Sequence, residues 1–164
     1  MNSFIEALVN NSKSEVIPEE YNYFGPLVGE WDFDYIDHNV SRVVKGEWIF
    51  SWVLEGTAIQ DVFICPSRDT RLIDPQPDGE YGTTFRIYNP EKKTWDISYC
   101  CTGNVVCLEA IKQDSKIVLT QINNPNAKWV FCEINEDNFH WQNVTVKDDG
   151  SWYINVDIFA KRKV

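Results

Sequence analysis

Between Leu27 and Tyr35 apolar and polar side chains alternate. Leu27, Gly29, Trp31, Phe33 and Tyr35 fall on one face, and Glu30, Asp32 and Asp34 fall on the other with Val28 and Ile36. A period of two marks a strand with one side in a core and one in water. The pattern recurs to the end of the chain. It predicts strands over 40–54, where Trp48, Phe50, Trp52 and Leu54 share a face, and then over 56–64, 81–88, 94–101, 105–112, 116–122, 128–134, 139–146 and 152–162. Turn residues separate them: Asn89-Pro90, Gly103-Asn104, Asp114-Ser115, Asn123 to Asn126, Asn135 to Asn138, and Asp148-Asp149-Gly150. Their short polar side chains, fixed rings or missing Cβ suit tight reversals.

The N-terminus has another period. Phe4, Ile5, Leu8 and Val9 recur at helical spacing behind a capping pattern from Ser3 to Glu6, and Asn10, Asn11 and Pro18 end the run. A short helix and its lead-in therefore occupy 1–22, ahead of a β-region over 24–162, in a single domain of 164 residues. Strands in strict succession with short turns pair with their sequence neighbours. About ten such strands either leave two long unpaired edges or close, and closure removes edges that invite aggregation. The expected fold is all-β, an antiparallel up-and-down barrel of about ten strands with a short N-terminal helix. Residues 66–80, PSRDTRLIDPQPDGE, are too rich in proline and charge for a strand and read as a surface loop near one rim.

The last hairpin can be registered from its turn. With Asp149-Gly150 as a two-residue loop, Thr145 faces Ile154, Asn143 faces Val156, Trp141 faces Ile158 and Phe139 faces Ala160. That face is apolar and points inward, while His140, Gln142, Asn155 and Asp157 point to solvent. By the same parity Arg162 lies inside, at the end of the last strand, where closure brings it beside Trp31.

Gly29-Glu30-Trp31 at the start of the first strand, after the turn FGPL, together with Arg162 near the end of the last, resembles the calycin superfamily of lipocalins, fatty-acid-binding proteins and avidin-like barrels. FRIYNPEKKTWDISY and FHWQNVTVKDDGSWYINVDIFAKRK are similar to hairpins of an uncharacterised bacterial lipocalin-like family. The resemblance implies a lipocalin-like barrel whose tryptophan plugs one end with the arginine packed over its indole, a cation–π contact worth about 1–2 kcal/mol. Gly29 would leave room for that indole. The resemblance implies little about activity, and the chain lacks the secretory and disulfide traits of classical lipocalins.

Composition narrows the partners. A net charge of −10, with Lys161, Arg162 and Lys163 as the only basic cluster, argues against nucleic acid and anionic membranes. MNSFIEALVNNSKSEV has no basic-then-apolar signal pattern, so the expected compartment is the cytoplasm. Five cysteines without a C-x-x-C spacing argue against a disulfide framework. Cys100 and Cys107 flank the turn at Gly103-Asn104 and are expected to face each other, as core-type thiols or as a reversible redox pair.

Barrels of this size can hold one small ligand. Parity places Trp48, Phe50, Trp52, Phe85, Tyr99, Trp129 and Trp141 on an inner wall, with Asn143, Thr145 and Arg42 as polar groups that could orient a molecule. The alternative is that these rings fill the core completely. Asp61, among apolar neighbours in TAIQDVFIC, is a candidate general base, or else a rim carboxylate or the partner of Arg86. Tyr99 is a second proton-transfer candidate. No metal site and no cofactor are expected. Haem would need an inward His140, whereas the register turns it outward, and His38 lies in a turn. The expected function is binding of a small apolar or aromatic molecule without transforming it. Two alternatives stand: an enzyme that isomerises or cyclises an apolar substrate in the barrel, and a scaffold that forms a homodimer through Phe4, Ile5 and Leu8.

Overall fold

The computed structural model describes residues 2–164. Helix α1 (Ser3–Leu8) precedes a two-residue strand β1 (Val9–Asn10), and the remaining strands are β2 (Gly29–Asp37), β3 (Arg42–Val53), β4 (Ala58–Cys65), β5 (Glu80–Asn89), β6 (Thr94–Cys101), β7 (Asn104–Gln113), β8 (Lys116–Gln121), β9 (Ala127–Ile134), β10 (Asn138–Val146) and β11 (Trp152–Arg162). Each of β2 to β11 pairs antiparallel with its sequence neighbours, and β11 pairs with β2, so ten strands close into an up-and-down barrel. β1 covers the stretch of β3 that runs past the start of β2, pairing Val9 with Val53 and Asn10 with Trp52. The cap of α1 is Asn2, whose side chain accepts from the Phe4 N–H, and not Ser3. No helix among the described residues is long and apolar enough to cross a membrane.

One end of the barrel is a sealed floor. Trp31 is fully buried and donates its indole N–H to Leu27 O at 2.7 Å. The Arg162 guanidinium lies 4.1 Å from the centre of the Trp31 ring and donates to the carbonyls of Val28, Pro26 and Glu136 at 2.8, 2.8 and 2.6 Å. Gly29 is required here for a reason other than the expected one. Its φ is +133°, and a Cβ would stand 2.4 Å from Arg162 Nη1, so the space belongs to the guanidinium and not to the indole. The lead-in segment supplies Ile17, Phe24 and Leu27, all without exposure, to cover the floor from outside.

Two expected registers shift. The last turn is a three-residue loop, Asp148 to Gly150, with Lys147 N–H bonded to Ser151 O. Trp152 therefore faces Val146, Tyr153 faces Thr145 and Ile154 faces Val144. Asn155 is then an extra residue in β11, and from Asn143–Val156 onward the pairing is the expected one. Thr145 keeps the lumen face of Asn143, to which the Asn155 amide links it, and is exposed there at the open end of β10. At the β6–β7 turn the loop residues are Thr102-Gly103, so Cys100 faces Val105 and Cys107 faces Ser98. Cys100 and Cys107 are exposed thiols on a diagonal, not core thiols directly opposed.

β5 is inverted relative to its reading in sequence. Gly82, Thr84, Arg86 and Tyr88 are buried and point inward, while Tyr81 and Ile87 are exposed and Phe85 sits on the outer wall beside Ile122 and Cys107. The inward residues of β4 fix this choice. Asp61 is 1% exposed between Ile59 and Phe63, and only the inverted phase of β5 brings a cation to it.

Candidate functional site

The lumen has two unlike halves. Toward the floor it is solid. Phe50 and Trp52 are buried there as packing, and Arg86 threads between the rings of Phe24, Phe50 and Phe131, with its guanidinium carbon 5.2, 5.3 and 5.9 Å from their centres. Arg86 Nη1 donates to Asp61 Oδ2 at 2.5 Å, and Asp61 Oδ1 accepts the Thr84 backbone N–H at 3.1 Å. Both carboxylate oxygens are thereby committed, and Asp61 does not line a cavity. Its placement is that of a buried ion-pair partner and not of a general base.

Toward the opposite end, the rim, the lumen opens into a pocket of about 80 Å³. Its walls are Tyr35, Trp48, Phe63, Tyr99, Trp129 and Trp141, with Glu80, Thr84 and Asn143 as the polar groups. The rings meet at steep angles: Trp48 to Trp141 at 81°, Trp141 to Trp129 at 59° and Trp129 to Tyr99 at 78°, with centres 5.6–6.0 Å apart. Such edge-to-face contacts are favourable arrangements of the ring quadrupoles, and here they form the sides of a box. Tyr99 reaches across Gly82, where a Cβ would lie 2.5 Å from the phenol oxygen. Its hydroxyl donates to Glu80 Oε2.

Glu80 is the first residue of β5 and points inward, although its place behind PQPDG reads as loop. Burial raises its pKa above the ordinary 4.5, the Tyr99 hydrogen bond opposes that rise, and Asp78 adds to it. The Tyr99 phenol is held well above its ordinary pKa by burial and by the neighbouring carboxylate, so it keeps its proton and serves as a hydrogen-bond donor. Tyr35 is raised in the same way, by burial and then by Glu80.

No family model matches the chain, and no curated protein matches it.

Of the residues expected on the wall, Trp48, Tyr99, Trp129, Trp141 and Asn143 come together around the pocket, Phe50 and Trp52 fall in the solid half, and Phe85 is outside. Arg42 sits at the rim over an adjoining cleft of about 20 Å³ that shares Tyr35 and Glu80 with the pocket. Its terminal nitrogens donate to Asp78 at 2.8 and 2.7 Å, to Asp37 at 3.2 Å and to Gln76 at 3.2 Å. Arg42 thus ties loop 66–79 to β3 and does not face the pocket. Cys65 lies in the same cleft, its thiol pushed up to about 12 by burial.

The sequence reading missed Tyr35, Phe63, Glu80 and Thr84 as lining residues. Tyr35 was legible, since it shares the face of Trp31 and Phe33. Glu80 and Thr84 were not, because their positions follow from the phase of β5. Missed too was the meeting of both histidines on the outer wall. His38 Nε2 and His140 Nε2 lie 2.7 and 2.5 Å from the two oxygens of Asp157, the Gln142 amide donates to the same carboxylate at 2.9 Å, and the His140 ring stacks on Phe159 at 4.3 Å. Among the described residues no group of three or more His, Cys, Asp or Glu side chains is placed to hold a metal ion.

Proposed function

We propose that this protein is a calycin-like barrel that binds one small molecule, mainly through aromatic surface, in the rim half of its lumen. The observation that carries the reading is the asymmetry of the interior: the floor half is packed solid, whereas six rings in the rim half leave about 80 Å³ unfilled. An empty space of this kind forfeits dispersion contacts along its lining, which an occupant restores. On the scale on which a cavity of about 150 Å³ holds benzene, the space takes roughly three or four non-hydrogen atoms within its walls. A fatty acid, retinoid or tetrapyrrole exceeds that, so the occupant is a small molecule or the head of a larger one. Five cysteines without a disulfide favour a reducing compartment, in keeping with a cytoplasmic protein.

The test uses the pocket's own tryptophans. Small compounds, neutral, aromatic and cationic, are titrated while intrinsic fluorescence and thermal unfolding are followed. A true ligand at a hundred times its Kd adds about 2.7 kcal/mol of stability, or roughly 5–10 °C in Tm, and changes the emission. A panel that moves neither quantity leaves the rim half as an unfilled packing defect and removes the binding role.

A further inference from the structure

The pocket contains a carboxyl group for which no described residue supplies a cation. Glu80 has the Tyr99 hydroxyl as its hydrogen-bond partner and makes no ion pair among the described residues, and no Lys or Arg lines the pocket. The groups that face it are Tyr99 on β6, Tyr35 on β2, Cys65 on β4, Arg42 on β3 and Asp78 in the loop, across the pocket and the adjoining cleft. Arg42, the one cation among them, has its terminal nitrogens on Asp78, Asp37 and Gln76. An ionised carboxylate in an apolar site without a counter-charge is unfavourable unless something else brings the positive charge. Beside it stand three indoles whose faces carry negative electrostatic potential and attract cations.

Resting on the binding role proposed above, we infer that the occupant is a small ammonium cation, a quaternary or protonated amine, seated between Trp48, Trp129 and Trp141 with Glu80 as its counter-ion. Three features fit this class. The rings are inclined at 59–81° and surround a compact body instead of sandwiching a flat one. The space suits an alkylammonium head in volume. Trp48, 4% exposed, also has an indole N–H without an acceptor among the described residues. An oxygen carried next to the ammonium centre, as in an amino alcohol, is the kind of acceptor that group lacks.

The test compares choline with 3,3-dimethylbutan-1-ol, which has the same shape with carbon in place of the charged nitrogen. Tryptophan fluorescence and calorimetry are read at neutral pH on the intact protein and on Glu80→Gln. Choline is expected to bind about tenfold or more tightly than its neutral isostere, and Glu80→Gln to cut that ratio several-fold. Choline affinity in the unaltered protein falls as pH drops through the pKa of Glu80, because protonation removes the counter-ion, whereas the isostere's affinity stays flat. This titration needs no variant and decides the matter if Glu80→Gln does not fold. Equal binding of the two compounds, or a choline affinity that ignores both pH and Glu80→Gln, overturns the cation while leaving a small-molecule pocket in place. Silence from both compounds and from the wider panel overturns the pocket along with the cation.

Discussion

Arg86 is a fully charged side chain held at 1% exposure inside a barrel, and every element around it is arranged accordingly. Asp61 neutralises it, three phenylalanine rings accept it on their faces, and its Nε has no acceptor among the described residues. Removing one partner of such a pair leaves the other buried without compensation, at about 3–5 kcal/mol. Arg86→Met alone is therefore expected to lower the unfolding free energy by about that amount. Asp61→Leu with Arg86→Met should recover most of it, less the acceptor lost to the Thr84 N–H. Urea midpoints of the two single variants and the double variant check this, and strictly additive losses would show that the two side chains act independently. The same pair explains what the sequence concealed at this scale. In EYGTTFRIY the apolar side chains Tyr81, Phe85 and Ile87 share one phase against Tyr88 in the other, and hydrophobicity alone turns the three inward. Satisfaction of Asp61 outweighs burial of those rings, and with that reversal go Phe85 from the wall and Glu80 and Thr84 into the pocket.

Strand existence and order were legible because alternation and turn residues are local signals, but turn lengths were not. The final hairpin shows why. A three-residue loop and an extra Asn155 shift the register in opposite directions, so Trp141 and Phe139 face their expected partners while Thr145 faces Tyr153 in place of Ile154. A bulge leaves no mark in composition, and only the pairing of the far ends reveals it. Loop 66–79 is likewise more than a solvated connection. Glu47, on the outer face of β3 and 3% exposed, accepts the Arg68 backbone N–H at 2.7 Å and its side chain at 3.0 and 2.7 Å. Those bonds, with the Arg68 side chain first, lower the Glu47 pKa to about 2 against an ordinary 4.5. A carboxylate with a depressed folded pKa adds stability that is complete above 4.5 and lost as pH falls toward about 2. Thermal unfolding across that acid range should show the loss in the natural protein and a shallower one in Glu47→Gln. Identical slopes would mean that the loop's anchor does not depend on that charge.

For the whole molecule the decisive contact is between the first and last strands of the barrel. Trp31 pairs with Arg162 across β2 and β11, and the guanidinium that stacks on the indole also holds three carbonyls from the lead-in and from the β9–β10 turn. This much was readable in sequence, because the parity of the final strand and the position of Gly29-Glu30-Trp31 are independent signs that agree. Arg162→Ala is expected to cost about 2–4 kcal/mol through the stack and the stranded carbonyls, roughly 5–15 °C in Tm, with Arg162→Lys intermediate. A Tm unchanged by Arg162→Ala would show that the seam holds without its clasp.

The β2–β11 seam also dictates an order of events during synthesis. Within the barrel β2 emerges from the ribosome first, yet its partner is the barrel's final strand, so the sheet stays an open ribbon with one bare margin until residues near 162 have cleared the exit tunnel. Until then the aromatic interior has neither floor nor enclosure, and nothing that needs a finished pocket can be held there.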